Sequence, residues 1–192
     1  MNYCECHLTI RSSSRELIDT ICSIVQPPPK LGFVRRFYEQ IFPKHRSEVA
    51  PSLLEFLCPV PREFKIAKTD DKVRINKIKD ELRAWREQHW GCPFEEEISG
   101  FDRLDELTIC IRLNTPYSPP LRALMTAAKI SKLSFKIDYF DYQWLLGTAT
   151  ENDKREFRYE DDVEPEKLDI PNELIKLFDL KQRYHDIKNG LI

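Results

Sequence analysis

The chain has 192 residues, 41% hydrophobic and 32% charged, with a formal net charge of −2. That length supports one domain core but crowds two, and the composition is that of a folded chain, not a disordered one. No apolar run reaches the roughly 20 residues of a membrane helix, and the near-neutral charge carries no global signal for nucleic acid.

In chain order, Met1-Asn2-Tyr3-Cys4-Glu5 has neither the basic nor the apolar segment of a secretory leader, so the cytoplasm is the expected compartment and no membrane is expected as a partner. Residues 3–11 alternate, with Cys4, Cys6, Leu8 and Ile10 on one side and Tyr3, Glu5, His7 and Thr9 on the other, as in a half-buried strand. The six cysteines lack the dense spacing of a stapled secreted domain and are read as reduced thiols. Cys4 and Cys6 lack zinc-knuckle spacing and read as small core residues, so neither metal nor cofactor is expected. Ser12-Ser13-Ser14 offers a cap for a helix through Leu17, Ile18, Ile21, Cys22 and Val25, which the three prolines from Pro27 stop.

Phe33, Val34, Phe37, Tyr38, Ile41 and Phe42 keep a helical rhythm in a basic stretch holding Lys30, Arg35, Arg36, Lys44 and Arg46. Leu53 to Cys58 reads as a second strand, ended by Pro59-Val60-Pro61. From Val73 to Trp90, Ile75, Ile78, Leu82, Trp85 and His89 line one face of a long helix that Gly91 and Pro93 close, with Trp85 expected to be buried. A strand with one wet face follows at Leu107–Asn114, then a helix through Leu121, Leu124, Met125 and Ala128, then a strand over Leu133–Phe140 that Trp144–Thr150 joins as a hairpin. The acidic connection from Glu151 to Asp169 leads to a last helix with Pro171 near its start and Asn189-Gly190 at its stop.

Strand, helix, strand followed by strand, helix, strand is the split βαβ order, so the expected fold is α+β. It is a ferredoxin-like antiparallel sheet with helices on one face, helical insertions between strands 2 and 3, and an added C-terminal helix. The expected organisation is a domain over 1–150 with the insertion around 27–95, and a connection plus helix over 151–192 packed on the same domain. Glu5, His7, Thr9, Thr108, Arg112, Lys136 and Asp138 would form the polar outer face.

Asn2–Ile10, the Trp85-Arg86-Glu87-Gln88-His89-Trp90-Gly91 segment, and Leu107–Ile109 with Thr115-Pro116-Tyr117-Ser118-Pro119-Pro120 resemble the YubB-type ferredoxin-like-domain family of plasmids, phages and genomic islands. The resemblance covers most of residues 1–150. Cys92, Pro93 and Phe94 depart from it, as does Pro116-Tyr117 in place of Ala-Trp. It implies a ferredoxin-like fold and a mobile-element context, where proteins of this size often inhibit host defence systems, CRISPR effectors among them; it implies no defined activity.

His89 beside Trp90 has the chemistry of a general base but no oriented nucleophile, P-loop or Gly-rich turn accompanies it. The family-motif residues Trp85, Arg86, His89, Trp90 and Gly91 therefore read as structural, and no enzyme is expected. Base stacking as in RNA-recognition sheets lacks its aromatics, since only Tyr3 and Phe140 would face outward. The acidic run Glu160, Asp161, Asp162, Glu164 and Glu166 can occupy a partner's phosphate-binding Arg and Lys, or be a solvated linker. The expected function is thus a non-catalytic accessory protein that binds a host protein or ribonucleoprotein complex, such as a CRISPR effector, and blocks nucleic-acid access. An RNA or single-stranded DNA module using the basic 30–46 stretch is the alternative.

Overall fold

The computed structural model of the chain describes residues 2–26, 52–65 and 72–191. The helix expected through Phe33–Phe42 and the basic residues Lys30, Arg35, Arg36, Lys44 and Arg46 lie outside them. Strand β1, Tyr3–Arg11, alternates in burial as its sequence alternates in polarity. Ser14 Oγ accepts from Leu17 N at 3.2 Å and starts helix α1, Arg15–Val25, which buries Ile18, Ile21 and Val25.

Leu53–Leu57 is helix α2, not a strand. A five-residue apolar run has no period long enough to separate the two states, and here the helix N-terminus finds its acceptors. Ser52 Oγ accepts from Glu55 N at 3.2 Å, and Glu96 Oε1 accepts from Leu53 N at 2.6 Å. After α3 (Arg62–Lys65) and α4 (Lys72–His89), the second strand is instead β2, Glu97–Asp105, which the sequence reading passed over. The helical insertion therefore falls between α1 and β2. Strands β3 (Thr108–Pro116) and β4 (Ser134–Phe140) flank helix α5, Leu121–Ser131, and β5 (Leu145–Thr150) forms the hairpin with β4.

The connection after residue 150 is not irregular throughout: Lys154–Arg158 is β6, paired antiparallel with β5. The last helix is two, α6 (Asn172–Leu177) and α7 (Leu180–Lys188), separated at Asp179, whose φ of 49° lies in the left-handed region. The six strands form one sheet in the order β2-β3-β1-β4-β5-β6, every neighbouring pair antiparallel. Among the described residues no helix is long and apolar enough to cross a membrane.

Leu8, Ile10, Ile109, Ile111, Phe135 and Ile137 share one core on the first sheet face, with Leu17 of α1 and Leu121 of α5 against it. Cys4 and Cys6 are fully buried in the same core, where the neighbouring Cys6 thiol, then burial, pushes the Cys4 pKa up. Helices do not keep to one face. The C-terminal pair brings Leu174, Ile175, Phe178 and Leu180 over Phe140, Leu146 and Tyr159, forming a second core on the opposite side. Asp138, expected in solvent, is consequently buried, with Lys136 Nζ 2.9 Å from its Oδ2.

One glycine is required by close approach. A Cβ at Gly147 would stand 2.1 Å from Tyr139 Cζ, because the Tyr139 ring crosses its cross-strand partner to donate its hydroxyl to Glu156 Oε1 at 2.8 Å.

Candidate functional site

Two of the segments quoted for the resemblance, Trp85–Gly91 and Thr115–Pro120, meet. Gly91, with φ of 91°, turns the chain at the end of α4, and its carbonyl accepts from Ser118 Oγ at 2.6 Å. Arg122 Nη1 donates to the Gln88 carbonyl at 3.0 Å, and the backbone of Ala123 reaches the Trp90 carbonyl at 3.3 Å. Trp90 is fully buried, its Nε1 donating to the Cys58 carbonyl at 2.8 Å and its ring carrying Arg86 at 4.7 Å. Trp85, expected to be the buried indole, is only half-buried: one helical turn before His89, it stacks on that ring at 4.3 Å. His89 Nδ1 donates to the Trp85 carbonyl at 2.8 Å, so the ring nitrogen nearest the chain is spent on the helix. These residues clamp α4 to the start of α5.

The acidic run divides. Glu164 pairs with Lys167 at 3.0 Å and Glu166 pairs with Lys181, which holds the Glu166 carboxyl below its ordinary range. Glu160, Asp161 and Asp162 are exposed, and among the described residues none of the three makes an ion pair. They line a cleft of about 310 Å³ with Gln143, Trp144, Arg158 and Tyr159. The Tyr159 hydroxyl is buried and, among the described residues, has no hydrogen-bond partner; burial, then Asp161, pushes its pKa up.

Trp144 also lines a second cleft, of about 390 Å³, with Tyr3, Glu5, Glu97, Asn114, Phe140, Asp141, Tyr142 and Arg183. Its floor is one transverse row across four strands: Glu97 of β2 faces Asn114 of β3, Asn114 faces Glu5 of β1, and Glu5 faces Phe140 of β4. Arg183 of α7 closes one end, its Nη2 2.7 Å from Glu5 Oε2 and its guanidinium 5.1 Å over the Phe140 ring. His7, 3.7 Å from the Glu5 carboxylate, and then Arg183 hold the Glu5 pKa below its ordinary value.

The wall is the β4–β5 turn. Asp141 Oδ1 accepts from Gln143 N at 2.8 Å and Leu145 N at 3.1 Å, which fixes Trp144 at a φ of 63°. A bulky residue in that region costs on the order of 1–3 kcal/mol, and such strain collects at functional positions. Here the Tyr159 N–H to Trp144 carbonyl bond, 2.8 Å, helps hold it. Tyr117 is also left-handed, at 69°, with its ring 5.9 Å edge-on to Tyr142.

The sequence reading named Glu160, Asp161 and Asp162 as candidates; it did not name Glu97, Asp141, Tyr142, Trp144 or Arg183, which the structure gathers around the second cleft. The available signal was Asp141-Tyr142-Gln143-Trp144, an Asx-type turn unusually rich in rings for a hairpin loop. Among the described residues no group of three or more His, Cys, Asp or Glu is arranged to hold a metal. Comparison with protein-family models, with curated proteins and with solved structures gives no match to this chain.

Proposed function

We propose that this chain is a non-catalytic binding protein that docks on the basic surface of a macromolecular partner and keeps nucleic acid from it. The observation that carries this reading is the pair of clefts meeting at Trp144, which together present six carboxylates (Glu5, Glu97, Asp141, Glu160, Asp161, Asp162) against two guanidiniums, Arg158 and Arg183. Carboxylates at such density compete with phosphate for Arg and Lys, because those donors bind either anion in the same geometry. The partner we propose is a nucleic-acid-handling complex of the host, such as a CRISPR effector, in keeping with the mobile-element context that the sequence resemblance implies.

We also propose that the β1–β4 part of the sheet is ferredoxin-like. Its support is the order β2-β3-β1-β4, antiparallel throughout, with a helix following β1 and another following β3.

The test is affinity capture from host lysate, with and without nuclease, using the native chain and a Glu160→Lys, Asp161→Lys, Asp162→Lys variant. The docking reading expects a nuclease-resistant protein partner that the reversed variant loses. Nuclease-sensitive recovery that survives the reversal but fails with Arg35→Glu and Arg36→Glu would replace it with direct nucleic-acid binding.

A further inference from the structure

We infer that the cleft floored by Glu97, Asn114, Glu5 and Phe140 is a receptor for one arginine side chain of the basic partner. This rests on the docking reading and assigns its anchor point.

The chain already shows how this floor takes a guanidinium. Arg183 donates to the Glu5 carboxylate while its plane lies over the Phe140 ring, the combination of charge-assisted hydrogen bond and ring face that suits a planar cation. Arg183 satisfies one end of the row only. At the other end, among the described residues, Glu97 is exposed and in no ion pair, and the Asp141 carboxylate in the same cleft is engaged only by backbone N–H groups of its own turn. Three rings stand around these two carboxylates: Tyr3 is 45% exposed, Tyr142 39% and Trp144 37%. They are all the aromatic residues among the large hydrophobic side chains left exposed in the described chain, and all three line this cleft. Rings exposed singly are ordinary, but three grouped around uncompensated carboxylates make the arrangement that binds a desolvated cation.

Arginine is favoured over lysine for two physical reasons. Its guanidinium loses less hydration on entering an aromatic-walled site, and its fork can reach Glu97 and the Asn114 amide oxygen together, since these are cross-strand neighbours. The left-handed Trp144 fits this role, because the strained turn leaves a large ring part-exposed in the cleft lining while it packs against Phe140 at 5.9 Å.

The test is titration of the full chain with an acetylated tetra-arginine amide peptide at low salt, followed by calorimetry and by tryptophan fluorescence. Two variants are compared, each checked for an unchanged melting temperature: Glu97→Gln with Tyr142→Ala in the cleft, and Glu160→Gln, Asp161→Asn, Asp162→Asn on the edge. The cleft variant should weaken binding about tenfold or more and abolish the fluorescence change, and tetra-lysine should bind the native chain several-fold more weakly than tetra-arginine. If the edge variant binds normally while the cleft variant does not, the arginine receptor stands and the edge drops out of the docking reading. If only the edge variant is impaired, or the peptide does not bind, the receptor is overturned. Free arginine amide binding as tightly as the peptide would also overturn it, since the cleft would then serve a small cation and not a partner's side chain.

Discussion

Arg183 of the last helix donates to Glu5 of the first strand at 2.7 Å, joining residues 178 apart in sequence. The contact fastens the C-terminal helices to the sheet at one end of the cleft floored by Glu97, Asn114, Glu5 and Phe140. Both side chains are more than a third exposed, so a double-mutant cycle of Glu5→Gln and Arg183→Met should give a coupling of only about 0.5–1 kcal/mol, shrinking with added salt.

The same pair predicts a pH dependence. His7 and Arg183 set the folded Glu5 pKa below its unfolded value of roughly 4.3, so its contribution is complete above that value and disappears as pH falls through the folded pKa. Thermal unfolding of the four cycle members should therefore show the coupling constant near neutrality and lost in acid. A coupling that persists after Glu5 is protonated would show that the carboxylate charge does not carry it.

Trp90 and Trp85 are predicted to differ in cost. Trp90 is fully buried among Leu54, Cys58, Val60 and Ala123 and bonds the Cys58 carbonyl, so Trp90→Ala should destabilise by about 3–5 kcal/mol. Trp85 leaves part of its ring in solvent, and Trp85→Ala should cost about 1–2 kcal/mol, in proportion to the area it buries. Urea denaturation of the two variants checks the order; equal costs would mean that the Trp85–His89 stack holds α4 as firmly as the buried indole does.

Glu96 should show the opposite pH behaviour from Glu5. Its carboxylate caps α2 through Leu53 N, but its Oε2 is buried without a partner and burial raises its pKa. Between the unfolded value of roughly 4.3 and the raised folded value the native state binds the extra proton, so stability falls as pH rises through that window. Glu96→Gln keeps an oxygen for Leu53 without the charge. Its melting temperature relative to the native chain should therefore rise as pH increases from the unfolded value through the raised folded one. A pH-independent deficit would instead show that the cap needs the negative charge.

What could be read from the residues alone was whatever their near neighbours decide. The alternation of Tyr3–Arg11 requires a half-buried strand whatever surrounds it, and Ser14 caps α1 with a bond three residues long. The strands holding Ile109 and Ile137 and the helix led by Leu121 are of the same kind. Leu53–Leu57 is not: its helical state is settled partly by Glu96, 43 residues away, whose carboxylate replaces the missing acceptor at the helix start. Strand β2 was hidden because its pairing slips at Gly100, where the Arg112 guanidinium occupies the space of a side chain and breaks the period-two pattern.

The division of the acidic run was equally beyond the sequence, since whether Glu166 is neutralised depends on Lys181 of another helix. The cleft belongs wholly to the tertiary structure. Glu97, Asn114, Glu5 and Phe140 come from four strands and lie in one row only because the β2-β3-β1-β4 registers align them. A chain specifies which of its residues face the same way along a strand by period alone; which residues become neighbours across strands is decided by register, and register is a property of the assembled sheet.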